Sequence, residues 1–312
     1  MSALRETFLS IEIGGTKLQI VAGDAAANLV ERRRFTVDPA QGGAGIRRQL
    51  EEALPALVTQ WQPAAIGVGF GGPVDWKTGC ICRSHQVAGW SDFPLGEWLH
   101  QLTNLPVSVE NDSNAATLGE ALRGAGVGLD PVFYFNMGSG VGGGLAVDRR
   151  IYHGARPGEA EFGHLRLDRA GAIVEDRCSG WAVDARIRAL RQSEPASLLG
   201  RLIGDQTGGE SRHLAAALSG GDAAARRILN EISGDLAFAL SHAVHLFHPE
   251  VVVMGGGLSL VGEPLRAAVA AELDRFVMEA FKPCPPVRLA ALGEDAVPVG
   301  ALLLAQAIRA GQ

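Results

Sequence analysis

The sequence predicts an α/β protein built from two related lobes, and three observations carry that prediction. Apolar runs of strand length alternate with longer stretches of helical spacing in both halves of the chain. A strand–turn–strand unit, with glycines and a hydroxyl in its turn, occurs at residues 8–23 and again at 132–147. The 312 residues, 47% of them apolar, suffice for two cores, and no Ser/Pro-rich linker interrupts them.

In chain order, Phe8–Ile13 is an apolar run, followed by the turn Gly14-Gly15-Thr16-Lys17, the run Leu18–Gly23 and a third strand over Leu29–Val37. This reads as a β-meander. Ile46, Leu50, Ala53, Leu54, Leu57 and Val58 fall on one helical stripe within residues 44–60. Ala65–Phe70 is a buried strand ending in Gly71-Gly72-Pro73, and Leu105–Asp112 is another, meeting a helix that starts near Ser113. Val132–Met137, the turn Gly138-Ser139-Gly140-Val141 and Gly142–Val147 repeat the opening pattern. A helical stripe from Ile228 to Phe247 stops at His248-Pro249, and Val251–Met254 is a short buried strand before Gly255-Gly256-Gly257. A helix over residues 262–281, a strand over Val287–Ala291 and a helix over Val299–Ala310 complete the chain. Glycines placed directly after buried strands allow backbone to approach a ligand closely.

The formal net charge of −6 gives no general attraction to nucleic acid or to a membrane surface. Any phosphate site must be built locally, from backbone N–H groups, a metal ion or a few cations. Two Gly-rich turns facing one another would do this, since successive N–H groups form anion-binding concavities. No run approaches the roughly 18 apolar residues of a membrane span, and the opening residues lack a basic leader, so a soluble cytoplasmic protein is expected. Cys80, Cys82, Cys178 and Cys284 are too few and too scattered for a disulfide framework.

Five motifs occur in order: Ile11–Lys17 (IEIGGTK), Glu110–Asn114 (ENDSN), Met137–Gly144 (MGSGVGGG), Glu161–His164 (EFGH) and Val253–Ser259 (VMGGGLS). In this order and spacing the chain resembles, over essentially its whole length, the ROK family of bacterial sugar kinases and sugar-responsive repressors, within the actin and hexokinase superfamily. The resemblance implies an actin-like (ribonuclease H-like) two-lobed ATPase fold. Its N-terminal lobe would be residues 1–115 plus 297–312, and its C-terminal lobe 116–296. It also implies ATP-dependent phosphorylation of a hexose or hexose-like sugar at the 6-hydroxyl, with ATP and Mg²⁺, by a cytoplasmic homodimer formed through the C-terminal lobe.

The implied roles fall on matching positions. Gly14, Gly15, Thr16 and Lys17 would hold the β- and γ-phosphates, with Gly138, Ser139 and Gly140 as the opposite phosphate loop. Gly255, Gly256 and Gly257 would lie near the adenosine; read from the residues alone, each serves strand-end packing equally well. Asp112 would be the catalytic base and, with Asn111, a sugar ligand. By position alone, an Asp between a strand and a helix is more often an N-cap, a task Ser113 can share. Phosphoryl transfer needs a group that positions the attacking hydroxyl and accepts its proton, and a carboxylate does both. Glu161, His164, Glu175, Gln86 and Gly72 complete the implied sugar site, while Trp90 reads either as core or as a sugar platform.

Three departures stand out. Glu12 occupies the place of the family's usual aspartate, which helps hold Mg²⁺, often through water. Ala160 replaces the glycine before Glu161. The family's Cys-rich zinc loop is absent: Leu165–Val174 contains no cysteine, so no structural zinc is expected. His164 would then need orienting by a carboxylate or a carbonyl, with Asp168, Asp176 and Glu159 as candidates. The alternative function is a non-catalytic sugar- or nucleotide-binding regulator of the same fold. A DNA-binding repressor is disfavoured, since only 11 residues precede Glu12.

Overall fold

The computed structural model describes residues 6–84, 87–158, 160–205 and 207–311. The chain divides into two units: Met1–Gly124 with Arg150–Ala160 and Glu294–Gln312, and Ala125–Arg149 with Glu161–Gly293.

In the first unit, β1 (Thr7–Ile13), β2 (Lys17–Asp24) and β3 (Leu29–Thr36) form the antiparallel meander. α1 (Gly42–Trp61) buries Ile46, Leu50, Leu54 and Leu57, the stripe its spacing predicts. β4 (Ile66–Phe70) lies parallel to β1. A short hairpin follows, β5 (Val74–Asp75) with β6 (Cys80–Ile81), and then α2 (Leu95–Thr103). β7 (Val107–Asn111) lies parallel to β4 and leads straight into α3 (Asp112–Arg123). The sheet order is β3-β2-β1-β4-β7. Trp90 is 1% exposed and packs edge-on against Phe70 and Phe93, so it belongs to the core and not to a sugar platform.

In the second unit, β8 (Val132–Met137) and β9 (Val141–Val147) form the second antiparallel pair. The two-residue β10 (Arg150–Ile151) opens the segment counted with the first unit. Helices α4 (Val174–Cys178), α5 (Gly180–Ser193), α6 (Leu198–Ile203) and α7 (Leu214–Ser219) lead to α8 (Ala223–Phe247). β11 (Val251–Gly255) lies parallel to β8, and β12 (Val287–Leu289) lies parallel to β11. Within this unit the strands run β9-β8-β11-β12, with the order and directions of β2-β1-β4-β7 in the first. The repeated strand–turn–strand units thus occupy equivalent places in two like sheets. α9 (Glu263–Phe276) ends earlier than its apolar spacing predicts, because Val277 turns to extended backbone.

α10 (Ala296–Arg309) closes the first unit. It can approach α3 only because residue 300 is glycine: a Cβ there would lie 1.7 Å from the Ala115 carbonyl oxygen. Gly67 of β4 similarly sits under the Ala301 carbonyl, where a Cβ would be 1.8 Å from that oxygen. Whereas the sequence reading divides the lobes after residue 115, α3 stays whole in the first unit, since the two glycine contacts hold its first turn and β4 against α10.

Candidate active site

The ENDSN motif sits where β7 passes into α3, and the helix start explains its residues. Asn111 has extended backbone, and its Oδ1 accepts from the N–H groups of Ser113 (2.9 Å) and Asn114 (3.1 Å). Asn111 is therefore the N-cap, a role its short amide suits, and Asp112 is the first helical residue rather than the cap. Asn111 Nδ2 donates to the Gly72 carbonyl at 3.2 Å, fixing the loop after β4. Asp112 is half-buried, and Ser113 Oγ lies 3.3 Å from its Oδ1. A Cβ on Gly71 would lie 3.4 Å from Asp112 Oδ2, 3.4 Å from the Ile13 carbonyl oxygen and 3.6 Å from Gly14 Cα. Gly71 thus packs close to both the Asp112 carboxylate and the start of the first Gly-rich turn.

That turn is tight, with Gly14 N–H donating to the Lys17 carbonyl at 2.8 Å; Thr16 is exposed and Lys17 half-buried. Glu12 faces Gln19 across the β1–β2 ladder. Its Oε2 accepts from Gln19 Nε2 and lies 3.1 Å from Lys17 Nζ. Gln19 is fully buried, and the Glu12 side chain is 14% exposed.

Beneath the motif lies a cluster that the sequence reading does not anticipate. Glu110 is 2% exposed. Its Oε1 accepts from Asn111 N–H (2.9 Å) and Asn114 Nδ2 (3.1 Å), and its Oε2 meets His153 Nε2 at 2.5 Å. Asn114 Nδ2 also donates to the Gly158 carbonyl at 2.9 Å. The His153 ring stacks on Trp76, centroids 4.1 Å apart and planes 14° apart.

In the second unit, the turn between β8 and β9 is closed by Gly138 N–H donating to the Gly140 carbonyl (2.9 Å), and Gly180 N–H donates to the Gly138 carbonyl (2.8 Å). The start of α5 is thereby tied to this turn. Glu175 on α4 accepts from Val141 N–H through Oε2 (2.8 Å), and a Cβ on Gly140 would lie 2.4 Å from that oxygen. Phe162 anchors the EFGH turn in the core against Phe133 and Phe135, and Gly163 packs on the Val141 carbonyl. Glu161 and His164 flank the anchor with side chains 50% and 59% exposed, Glu161 Oε2 lying 4.0 Å from His164 Nε2. Among the described residues, the carboxylate nearest His164 is therefore Glu161. Asp168 instead accepts from Gly171 N–H (2.8 Å) and Ala172 N–H (3.2 Å) and faces Arg177, and Asp176 approaches Ile173 N–H. The two backbone donors hold the Asp168 carboxyl below its usual range. Among the three glycines after β11, Gly256 has φ +82° and a Cβ there would clash with the Met137 backbone, while Gly255 packs on Tyr134 and Gly257 faces open space.

Residues 8–308 match the ROK family. The chain belongs to the ROK family. A glucokinase from Halalkalibacterium halodurans is 29% identical over 308 residues, covering 94% of this chain and 93% of the relative. A beta-glucoside kinase from Listeria monocytogenes is 29% identical over 87% of each chain. The crystal structure of a ROK family glucokinase from Streptomyces griseus, in complex with glucose and AMPPNP, superposes with a TM-score of 0.80 at 30% identity, covering 96% of this chain and 99% of that one. The fold is accordingly the actin-like ATPase fold of ROK sugar kinases.

In this ROK protein, the first unit gathers Glu12, Gly14, Gly15, Thr16, Lys17, Gly72, Asn111 and Asp112, and the second gathers Gly138, Ser139, Gly140, Glu161, His164, Glu175 and Gly255–Gly257. Gln86 and Glu159 lie outside the described residues. Sequence reasoning misses Gln19, Glu110, His153 and Trp76. Glu110 carried one signal, a carboxylate inside an apolar strand next to the site; His153 and Trp76 reach the cluster only through tertiary folding.

Proposed function

We propose that this ROK protein transfers the γ-phosphoryl group of ATP to a hydroxyl of a hexose or hexose-like sugar, with the 6-hydroxyl as acceptor. The observation that carries this reading is the approach of the Asp112 carboxylate to the Gly14 turn at Gly71. A proton acceptor next to a backbone phosphate cradle is what in-line phosphoryl transfer needs. The sugar oxygen bonds to phosphorus, the bond from phosphorus to the bridging oxygen breaks, ADP leaves, and Asp112 takes the hydroxyl proton. The glucokinase and beta-glucoside kinase relatives, and the Streptomyces griseus complex with glucose and AMPPNP, support the substrate classes.

The residues divide the work by chemistry. Gly14, Gly15, Thr16 and Lys17, with Gly138, Ser139 and Gly140, bind phosphate oxygens, and Gly257 offers open backbone to the adenosine. Asn111 has one amide proton left for a sugar hydroxyl after its bond to Gly72. Glu161, His164, Glu175 and Gln86 complete the sugar contacts. Mg²⁺, when bound, neutralises charge building up on the β- and γ-phosphates. Among the described residues, no three His, Cys, Asp or Glu side chains gather to hold a metal. Mg²⁺ needs no such cage, since one carboxylate with phosphates and waters suffices. Glu12, already paired with Lys17 and Gln19, fits as a partner of metal-bound water.

No described helix is long and apolar enough to cross a membrane. A cytoplasmic homodimer is part of the proposal, its assembly tested by light scattering. The pairing of Glu12 with Lys17 is the one observation that favours the alternative, a non-catalytic sugar or nucleotide sensor. A coupled ADP-release assay across glucose, fructose, allose, N-acetylmannosamine, N-acetylglucosamine and β-glucosides decides between them: sugar-dependent ADP release supports the kinase, and none with any sugar overturns it.

A further inference from the structure

Segment Arg150–Ala160 belongs to the first unit, although the chain on both sides of it belongs to the second. Among the described residues, hydrogen bonds, an ion pair and a ring stack hold it there. His153 meets the buried Glu110 carboxylate, Asn114 Nδ2 donates to the Gly158 carbonyl, Arg156 Nη1 lies 3.0 Å from Asp75 Oδ2, and His153 stacks on Trp76. The orientation of Asn114 is fixed, because both partners of its Nδ2 are acceptors. Among the described residues, Glu110, 2% exposed, receives three donors: the Asn111 N–H, Asn114 Nδ2 and the His153 Nε2–H. Two of these belong to the ENDSN motif itself and the third to the segment that ends one residue before Glu161.

We propose that the Glu110–His153 pair is a positioning device, tying the approach to Glu161 to the strand end that carries Asn111 and Asp112. The inference rests on the sugar-kinase reading above. A buried carboxylate stripped of one donor is costly, so the pair holds both partners in one geometry. One oxygen of Glu110 accepts from the backbone N–H of Asn111, the residue before Asp112; the other meets the ring that anchors residues 150–160. Neither residue touches the reacting atoms. Their effect is to hold the segment that leads to Glu161 on the strand end that carries Asn111 and Asp112, which matters because a misplacement of about 1 Å can cost ~10²-fold in rate. The stack on Trp76 fixes the ring plane so that Nε2 faces the carboxylate.

His153→Phe keeps a ring on Trp76 and removes the donor; His153→Gln keeps a donor near Nε2. For His153→Phe we expect the KM for sugar to rise by about ten- to a hundredfold, with kcat reduced, the KM for ATP within twofold, and melting still cooperative. His153→Gln should recover most of the loss. Hydrogen–deuterium exchange, read without turnover, should show faster exchange in His153→Phe both in residues 150–164 and in the first turn of α3. Unchanged sugar KM in a folded His153→Phe, equal losses in the Phe and Gln variants, or parallel rises in both KM values would overturn the positioning role. If the wild type phosphorylates no sugar, the kinase reading fails on its own account, and exchange confined to 150–164, sparing α3, would then sink the tie as well.

Discussion

Replacing Asp112 with asparagine removes a proton acceptor and leaves its frame in place. Asn111 caps α3 through its own Oδ1, so the helix start does not depend on the residue at 112. Ser113 Oγ, 3.3 Å from Asp112 Oδ1, can donate to an amide oxygen as it does to a carboxylate. The lost interaction of one negative charge with the N-terminus of α3 costs about 0.3–1 kcal/mol. General base catalysis contributes about 10²- to 10⁴-fold, or ~2.7–5.4 kcal/mol at 1.36 kcal/mol per factor of ten. The expected outcome is turnover reduced by that factor, urea-unfolding stability lowered by no more than about 1 kcal/mol, and sugar affinity, measured calorimetrically, reduced by less than about tenfold, since only one contact changes polarity. ADP release on the best sugar is the assay. Turnover within tenfold of wild type in a folded Asp112→Asn protein would refute the base assignment.

Other perturbations address the remaining claims. Glu12→Ala should raise, several-fold, the Mg²⁺ concentration needed for half-maximal turnover; identical Mg²⁺ titrations would remove Glu12 from the nucleotide site. Gly300→Ala places a methyl group 1.7 Å from a backbone oxygen that no rotamer change can move, so α3 and α10 must separate. Its cost should reach or pass the ~3 kcal/mol upper range of overpacking, and a loss below about 1 kcal/mol in urea unfolding would contradict the close helix contact. Burial pushes the Cys178 thiol up to about 12, so a thiolate-specific reagent at pH 8 should titrate at most three of the four cysteines until the protein is denatured. Because the folded thiol keeps a proton that the unfolded one releases above about pH 9, this group erodes stability as pH rises from there towards 12. Elemental analysis should find no structural zinc, and about one zinc per chain, lost together with sugar binding on chelation, would overturn that expectation.

Much of the fold can be read along the chain because its signals are local. The runs at 8–13 and 132–137 are strands, and the helical stripe from Ile228 to Phe247 is α8, since burial on one face writes its period directly into the sequence. Boundaries were less legible where the deciding contact is distant. α9 stops at Phe276 because Val277 adopts extended backbone, although apolar residues continue beyond it. Trp90 left two roles open, and only its packing on Phe70 and Phe93 places it in the core. The glycines after β11 were alike as text, yet the backbone around them gives Gly256 a packing role and leaves Gly257 open.

The same division runs through the site. The sequence by itself determined the motifs and their order, and with them family membership and the residue types offered to phosphate and sugar. Those are properties of short segments, set by turn chemistry and by glycines at strand ends. Only the tertiary structure decided what each polar group does with its hydrogen bonds. It made Asn111 rather than Asp112 the cap, drew Glu12 to Lys17 and Gln19, set Glu175 on the Val141 N–H, and brought His153 to Glu110 across 43 positions of sequence. The physical reason is that a buried polar group must find a partner wherever the fold supplies one, and sequence spacing does not record which distant group that is.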